Sequence, residues 1–334
     1  MILVNMSIHD IKDAVKLWND CVDKKEFCYK PMTEESFQEK FFDTLHYSEE
    51  YVIAAKNEEE LIGFAISYKK REYLKNEDFY NTPAYLTMVI VKPEERRKGI
   101  GTKLVKEIEK RFQTIGKQAI RVTYRNPVTL SWVVPNTVDH DHNNAPGVDK
   151  DSVGFAFLNQ LQYVEQQTEL GMHMDLGTFV PFPKYQEKID AQAKMDIEVT
   201  LYNSKLHHGF DELFDNLHGE VWRKSIADNL KLEQPLPVIV ASHNGKIVGF
   251  AGPIDVESSG RGWFNGIATH SEYERKGLAF VMFSRLMLEF QRIGARFSTL
   301  FTDEGNPAGG LYEAVGFCIA KKWAVVEKEL NADD

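Results

Sequence analysis

The feature that most constrains this chain is an internal repeat. The segment RRKGIG, which begins at Arg96, follows an apolar run and precedes a helical segment. The segment ERKGLA, which begins at Glu274, has the same surroundings 178 positions later (274 − 96). The register continues through the next helix, where KRFQTIG ends at Gly116 and LEFQRIG ends at Gly294. A shared register over about twenty residues indicates a duplicated domain.

Each half predicts the same order of elements. A hairpin, a strand, the glycine turn, a helix and a further strand follow one another in the segments YVIAAK, LIGFAISY, AYLTMVIV, RRKGIG, TKLVKEIEKRF and AIRVTY. The second half repeats this order, with a hairpin turn at Asn244-Gly245. Amphipathic segments early in each half, IKDAVKLWNDCV and FDELFDNLHGEVW, predict helices that pack on the sheet.

These patterns predict an α/β (α+β) fold, in which each half has a mixed, mostly antiparallel central sheet flanked by helices. Pro181 and Pro183, followed by polar residues, are typical of a linker. We therefore predict a first domain at 1–180, a linker at 181–195 and a second domain at 196–334.

Composition narrows the class of protein. The 334 residues carry a formal charge of −10, which argues against a nucleic-acid binder, because such proteins carry a basic face. The three cysteines, Cys21, Cys28 and Cys318, have no spacing typical of a disulfide framework or a zinc site. The N-terminal MILVNM is too short for a signal peptide, and no apolar run is long enough to span a membrane. We expect a cytoplasmic protein with no membrane partner.

The glycine turns predict an anion site. The first N–H groups of a helix have no helical partner, and glycines allow an anion to approach the backbone. Arg96, Arg97 and Lys98 add positive charge. The turn lacks the third glycine of the dinucleotide fingerprint and the Gly-Lys-Ser/Thr of a P-loop. We therefore expect a phosphate or pyrophosphate ligand bound by a motif other than these two.

The pattern R-x-x-G-x-G, after Val91 and Pro93, resembles the acetyl-CoA loop of the GNAT superfamily of N-acetyltransferases. In the second half, Asn306, Tyr312, Gly316 and Phe317 match the pattern that closes the acetyl-CoA site in that family, with one residue fewer between Asn306 and Tyr312. Pro307 is expected to start a helix that Asn306 caps. The resemblance covers most of both halves, and the layout is similar to mycothiol-synthase-like double-domain members.

The resemblance implies an acyl-CoA-dependent N-acetyltransferase that moves an acetyl group from acetyl-CoA to a primary amine of a small molecule. In the family, a splayed fourth strand binds the pantetheine and the loop amides hold the pyrophosphate. The strand corresponds to Met88–Val91 and Gly266–Thr269. The implied cofactor-binding residues are Ile90, Val91, Arg96, Arg97, Lys98, Gly99, Ile100, Gly101, Thr102, Ile267, Ala268, Thr269, Arg275, Lys276, Gly277, Leu278, Ala279 and Asn306.

The two halves differ where the family places its general acid. Tyr312 stands at that position in the second half, whereas Leu158 stands there in the first half and has no proton to donate. The glycine turns instead favour the first half as the catalytic one. In the second half, Glu274 and Ala279 stand where the first half has Arg96 and Gly101. We expect catalysis in the second half with Tyr312 as proton donor, and a retained acetyl-CoA site or a substrate-shaping role in the first.

The base that accepts the amine proton stays open. The candidates lie at strand ends, and water-relayed deprotonation needs none of them. They are Asp303, Glu304, His270 and Asp255.

An insertion of about 26 residues follows Asn126 and contains DHDHNN, Asp139 to Asn144. Ligands spaced in this way on a polar loop favour a solvated turn, so no metal is expected. Two other readings remain open for the chain. Leu158 and Glu274 suggest a non-catalytic acetyl-CoA-binding or regulatory protein, and a structural or interaction protein is the third alternative.

Overall fold

The computed structural model describes residues 1–306 and 309–330. The strands are β1 (Ile2–Asn5), β2 (Val52–Asn57), β3 (Glu60–Tyr68), β4 (Ala84–Val91), β5 (Ala119–Val122), β6 (Trp132–Val133), β7 (Asp141–His142), β8 (Val148–Asp149), β9 (Val164–Asp175), β10 (Ile197–Leu201), β11 (Ile239–His243), β12 (Lys246–Ala251), β13 (Ile254–Val256), β14 (Arg261–Phe264), β15 (Ile267–Thr269), β16 (Phe297–Asp303) and β17 (Cys318–Glu329). The α-helices are α1 (Ile11–Asp23), α2 (Glu34–Phe41), α3 (Ile100–Thr114), α4 (Val153–Gln160), α5 (Tyr185–Ala193), α6 (Phe210–Leu217), α7 (Glu220–Asn229), α8 (Leu278–Arg292) and α9 (Gly309–Val315).

The chain forms two compact units, and neither is continuous in sequence. Unit 1 comprises Met1–Thr137, Asp141–Gly171 and the segment from Ala320 onward. Unit 2 comprises Val138–His140 and Met172–Ile319. The two units are defined by contacts in space, whereas the predicted boundaries at 180 and 196 divide the duplicated halves along the sequence. Those boundaries therefore stay a prediction.

The sheet of unit 1 is antiparallel from β1 to β4 and parallel at one point. The strands β1, β2, β3 and β4 pair in that order. β4 then pairs in parallel with β5, and β17 pairs antiparallel with both β5 and β8. Apolar side chains of α1 and α3 are buried in two hydrophobic clusters with this sheet. The mixed sheet flanked by helices agrees with the sequence prediction.

Unit 2 repeats this arrangement with a break. The strands β10, β11, β12 and β15 form an antiparallel sheet. β14 pairs with β13 and, in parallel, with β16, and β9 lies beside β16. The residues Asn265 and Gly266 separate β14 from β15, so the strand that is continuous in unit 1 is divided here.

The predicted linker 181–195 contains α5, which packs against β10 and α8 within unit 2. The two prolines precede the helix, where they do not interrupt its hydrogen bonds. Among the described residues, none of the helices combines the length and the apolar character needed to cross a membrane.

The strand β17 anchors unit 1 through Trp323, which is fully buried and packs edge to face on Trp132 with ring centroids 5.2 Å apart. We expect Trp323→Ala to lower the free energy of unfolding by about 3–5 kcal/mol, because a large cavity replaces the indole. Equilibrium urea denaturation measures this change. Ile319→Ala on the same strand is the control, since Ile319 is 42% exposed and its loss should change stability by less than about 0.5 kcal/mol. Equal effects of the two variants would contradict this assignment.

Candidate functional site

The candidate site of unit 1 begins where two parallel strands separate. β4 and β5 pair only at Ala84 with Ile120 and at Tyr85 with Arg121. Beyond these pairs β4 continues beside β3 as far as Val91, so its other edge lacks β5 as a ladder partner. The repeat preserves this arrangement, because Gly262 pairs with Ser298 in unit 2, 178 positions after Ala84 and Ile120 (262 − 84 and 298 − 120).

A cavity of about 190 Å³ occupies the gap in unit 1. One wall is β4 from Leu86 to Val89, and Val122 and Thr123 at the end of β5 line the opposite wall. The insertion after Asn126 closes another side: Val128, Thr129, Leu130, Asn144, Ala145, Gly147, Val148, Asp149 and Ser152 all line the cavity. Glu26 to Tyr29, from the connection between α1 and α2, complete the enclosure.

The RRKGIG turn at the end of β4 is open. Gly99 has a positive φ of 81° and precedes α3, and Lys103 N–H makes the bond to Gly99 C=O that starts the helical ladder. A methyl group added at Gly99 would have no heavy atom within 4 Å. The N–H groups of Ile100, Gly101 and Thr102, in the first turn of α3, precede the helical ladder and have no partner within it. The anion site at this turn stays a prediction.

The charges of the turn have different roles. Arg96 bonds Glu26 at 2.5 Å and the carbonyl of Val91 at 2.9 Å, so its guanidinium ties the turn to the α1–α2 connection. The hydrogen bond from Arg96 holds the pKa of Glu26 below its ordinary value. Lys98 pairs with Glu95 at 3.0 Å. Arg97 is exposed, and within the described parts of the chain its guanidinium has no hydrogen-bond partner.

The corresponding turn of unit 2 is covered. Gly277 has the same positive φ, 77°, but a methyl group added there would lie 3.2 Å from Lys188 Nζ of α5. Gln192 of α5 is buried and donates a long hydrogen bond of 3.5 Å to the carbonyl of Lys276. At the strand break, a methyl group added at Gly266 would lie 2.5 Å from Trp222 Nε1. Side chains therefore occupy the approach to both predicted binding segments of unit 2.

The predicted cofactor-binding residues fall into two groups, one in each unit. In unit 1, Ile90 and Val91 end β4, the residues from Arg96 to Gly99 form the turn, and Ile100 to Thr102 open α3. In unit 2, Ile267 to Thr269 form β15, Arg275 to Gly277 form the turn, and Leu278 and Ala279 open α8.

Tyr312 lies on α9 and packs against Phe283 of α8, with ring centroids 5.3 Å apart. Burial raises the pKa of its phenol above the ordinary value of 10. Asn306 Nδ2 donates to Thr302 Oγ1 at 2.9 Å. The helix start predicted at Pro307 lies outside the described residues, since Pro307 and Ala308 are not among them. The assignment of Tyr312 as proton donor stays a prediction.

Three of the four base candidates in unit 2 lie at or just beyond the end of a strand, and Asp255 is the central residue of β13. Asp303 Oδ1 accepts from Gly305 N–H at 2.6 Å, and His270 Nδ1 accepts from Glu272 N–H at 3.2 Å. Asp255 Oδ1 accepts from Val256 N–H at 2.7 Å, and Glu304 is exposed. Three of these side chains therefore accept hydrogen bonds from nearby backbone N–H groups.

Sequence reasoning did not identify the polar residues that the tertiary fold brings to the cavity of unit 1. Asp149, from the insertion, and Glu26 both line it, and each is paired with a cation: Asp149 with Lys321 at 2.6 Å and Glu26 with Arg96. Tyr29 lines it as well. The length of the insertion was the available signal, because long ordered loops often contribute to a binding site.

The DHDHNN loop separates its side chains. Asp141 pairs with Lys30 at 2.7 Å in unit 1, and His142 Nδ1 accepts from Asn144 N–H at 3.0 Å. His140 belongs to unit 2, where it lies 2.8 Å from His173 and stacks on Phe297 with centroids 4.1 Å apart. Among residues 1–306 and 309–330, no group of three or more candidate ligands is placed to hold a metal ion.

The comparison with family models decides the family. Residues 18–129 and 203–317 each match the model of the acetyltransferase (GNAT) family. The chain belongs to the GNAT family. The two matches confirm the tandem organisation predicted from the repeat, and similarity to mycothiol-synthase-like members in particular stays a prediction. The search of curated proteins returned no significant match.

Solved structures share the fold of this GNAT protein at low identity. A GCN5-related N-acetyltransferase from Sphaerobacter thermophilus has a TM-score of 0.64 and 16% identity, with 99% of this chain and 96% of that chain covered. A tandem GNAT protein from the clavulanic acid biosynthesis pathway has a TM-score of 0.55 and 13% identity, with 100% and 99% covered. The glucosamine N-acetyltransferase region of a fungal multi-domain GH3 beta-N-acetylglucosaminidase has a TM-score of 0.67 and 15% identity. That match covers 98% of this chain, which spans 38% of the fungal chain.

The histidine pair predicts a pH dependence of stability. Burial lowers the pKa of His173, and the neighbouring His140 lowers it further, whereas Asp175 opposes the shift. The folded state therefore favours the neutral ring, so this contribution is complete above the ordinary pKa of 6.5 and is lost as the pH falls through the lower folded pKa. We expect acidification from about pH 7.5 to about pH 5 to lower Tm more in the parent than in His173→Gln, measured by scanning calorimetry. The same loss in both proteins would exclude this contribution.

Proposed function

We propose that this GNAT protein transfers the acetyl group of acetyl-CoA to a primary amine of a small molecule, and that the transfer takes place in unit 1. The observation that carries the proposal is the cavity between the separating strands β4 and β5 of that unit. It lies beside the strand that leads directly into the open glycine turn.

The residues of unit 1 fit this donor. The pyrophosphate would bind the free N–H groups at the start of α3, where the helix dipole favours negative charge. Arg97 would add an unpaired cation at the surface of the turn. The pantetheine would follow the β4 edge that β5 does not occupy, and this edge leads into the cavity.

The cavity suits a small and weakly charged acceptor. Its volume of about 190 Å³ restricts the acceptor to a small molecule, and its two carboxylates, Glu26 and Asp149, are paired with Arg96 and Lys321. A polycationic acceptor would find no unpaired carboxylate among the described residues that line the cavity. Primary amines with an apolar or neutral polar body are therefore the favoured class.

A second candidate function is acetyl-CoA binding without catalysis. Leu158 supports it, because this residue lines the cavity of unit 1 at the position where the family places its proton donor. Both functions predict acetyl-CoA binding, and only the first predicts turnover.

The experiment combines binding with turnover. Titration calorimetry on the full chain measures the affinity and stoichiometry for acetyl-CoA. Thiol release is then followed with a panel of amines that includes glucosamine, putrescine and lysine. Turnover with any acceptor supports the enzyme. Binding without thiol release in the whole panel favours the non-catalytic function, and absence of binding overturns both.

A matched pair of variants locates the donor site. Arg97 and Arg275 occupy equivalent positions of the two turns (275 − 97 = 178) and both have a positive φ, 63° and 60°. We expect Arg97→Glu to weaken acetyl-CoA binding about tenfold or more, because it replaces an attraction to the phosphates by a repulsion. Arg275→Glu should leave the affinity unchanged. The reverse result would place the donor in unit 2.

Tyr312→Phe tests the proton donor predicted from the sequence. If the reaction takes place in unit 1, this variant keeps the ring packing against Phe283 and releases thiol at the parent rate. A loss of roughly 100-fold in kcat at unchanged acetyl-CoA affinity would instead assign the general acid to unit 2. Saturating acetyl-CoA with the best amine of the panel gives the measurement.

A further inference from the structure

The polar groups on the wall of the unit 1 cavity restrict which acceptor can bind there. Much of that wall is apolar, with side chains such as Phe27, Leu86, Met88 and Val122. Its two carboxylates are already engaged in ion pairs. In a pocket of this kind a small number of placed polar groups sets the specificity, so the hydroxyl and amide groups of the wall are the ones to consider.

Two buried threonines lie where the parallel strands separate. Thr87 on β4 and Thr123 just after β5 are each two positions beyond the last ladder pair, Tyr85 with Arg121 (87 − 85 and 123 − 121). Both threonines line the cavity, and only 9% and 6% of their surfaces are exposed. Each of the two strands therefore contributes one buried hydroxyl near the point where the gap begins.

Asn126 determines how the Thr87 hydroxyl is used. Asn126 Oδ1 accepts from the Val128 N–H at 3.0 Å, so the other end of the amide is the donor Nδ2. This Nδ2 donates to Thr87 Oγ1 at 2.9 Å. The Thr87 oxygen is the acceptor in that bond, and its own proton has no acceptor within residues 1–306 and 309–330.

Thr123 also has an unused donor. Its Oγ1 accepts a long hydrogen bond of 3.4 Å from the Arg125 N–H, and none of the described residues accepts its proton. A hydroxyl can donate one hydrogen bond, and a buried donor that stays unused costs free energy. The protons of both threonines are therefore available to an oxygen atom inside the cavity.

The other hydroxyls on the wall differ from these two. Ser152 Oγ donates to the carbonyl of Asp149 at 2.7 Å and accepts from the Phe155 N–H at 3.2 Å, so it caps α4. Thr129 and Tyr29 are only partly buried, so water can serve as a partner for their hydroxyls.

We propose that Thr87 and Thr123 select the acceptor by donating hydrogen bonds to a neutral oxygen atom on it. The acceptor is then a primary amine that carries a hydroxyl or amide group close to its nitrogen, because the cavity is small. The inference rests on the proposed function. A hydrocarbon amine would leave both buried hydroxyls without an acceptor, and this loss is the basis of the selection.

A neutral oxygen fits the charges of the cavity better than a carboxylate does. Arg96 and Lys321 are already paired with Glu26 and Asp149, so they offer little attraction to an acceptor carboxylate. Burying an unpaired charge is costly, whereas a neutral oxygen needs only hydrogen-bond donors. The two threonines provide such donors.

The test uses amines that are matched in size. Ethanolamine is compared with propylamine, and glycinamide with isobutylamine, so that each pair replaces a hydroxyl or amide group by hydrocarbon. Thiol release is followed at saturating acetyl-CoA with the full chain. We expect kcat/KM of the parent to be at least about tenfold higher for the oxygen-bearing member of one or both pairs, because a site that bonds an oxygen disfavours the analogue that lacks it.

Thr123→Val removes one donor and keeps the branched shape of the side chain. It should lower kcat/KM for the preferred amine about fivefold or more and change that of its hydrocarbon analogue by less than about twofold. Thr123 is chosen because Thr87→Val would also leave Asn126 Nδ2 without its acceptor. Thr87→Ser retains the hydroxyl and should keep the preference of the parent.

Thr302→Val is the matched control. Thr302 in unit 2 is 6% exposed, and its Oγ1 accepts from Asn306 Nδ2 at 2.9 Å, as Thr87 Oγ1 accepts from Asn126 Nδ2. This variant removes a buried threonine hydroxyl of the same kind outside the proposed site. It should show the amine preference of the parent.

Three results would overturn the inference while leaving acetyl-CoA binding intact. They are equal kcat/KM values within both pairs, a preference for the hydrocarbon members, and no turnover of any of the four amines. A fourth is an equal loss for both members of a pair in Thr123→Val, which would place the hydroxyl on the thioester instead of the acceptor. The preference of the parent is measured without any variant, so it tests the inference even if Thr123→Val does not fold. Absence of acetyl-CoA binding by the parent, measured by titration, overturns the proposed function itself.

Discussion

The short parallel ladder between β4 and β5 is the constraint on which the site of this protein depends. Two residue pairs join these strands, and beyond them the strands separate. A parallel pair that stops early leaves unpaired backbone groups on both strands, and such groups need water or a ligand as partner. The separation creates the cavity and leaves one edge of β4 without β5 as a partner. β4 then leads into the turn before α3. The other features of unit 1 enclose this gap.

The duplication preserved the ladder but not its surroundings. Unit 2 has the equivalent parallel pair and a glycine turn with nearly the same φ, so its backbone repeats the geometry. Access to the turn and to the strand break differs from that in unit 1. Lys188 and Gln192 of α5 lie over the turn, and Trp222 lies against Gly266 at the strand break. The turn of unit 1 is thus accessible, whereas the turn of unit 2 is covered by side chains of the same unit.

Local sequence patterns predicted much of this fold. The 178-residue repeat, the hairpin at Asn244-Gly245 and the amphipathic segment of α1 all correspond to observed elements. The segment 181–195 was expected as a linker because prolines mark it, and it contains α5, which packs on the following strand β10 and on α8, a helix distant in sequence. The residue pattern of β17 also did not indicate that its residues from Ala320 onward belong to unit 1. The apolar pattern of a strand does not specify which sheet the strand will join.

The sequence alone determined the family, the tandem organisation and the two turns, since these depend on short stretches whose glycine and apolar spacing constrains the local backbone. Only the tertiary structure decided which turn is open and what surrounds the cavity. Glu26 meets Arg96 and Asp149 meets Lys321 across 70 and 172 positions of the chain. Tyr29 reaches the cavity because the α1–α2 connection packs beside an insertion about a hundred residues away. Contacts of this kind arise from the packing of whole elements. Sequence periodicity indicates local secondary structure but does not indicate which distant elements come into contact.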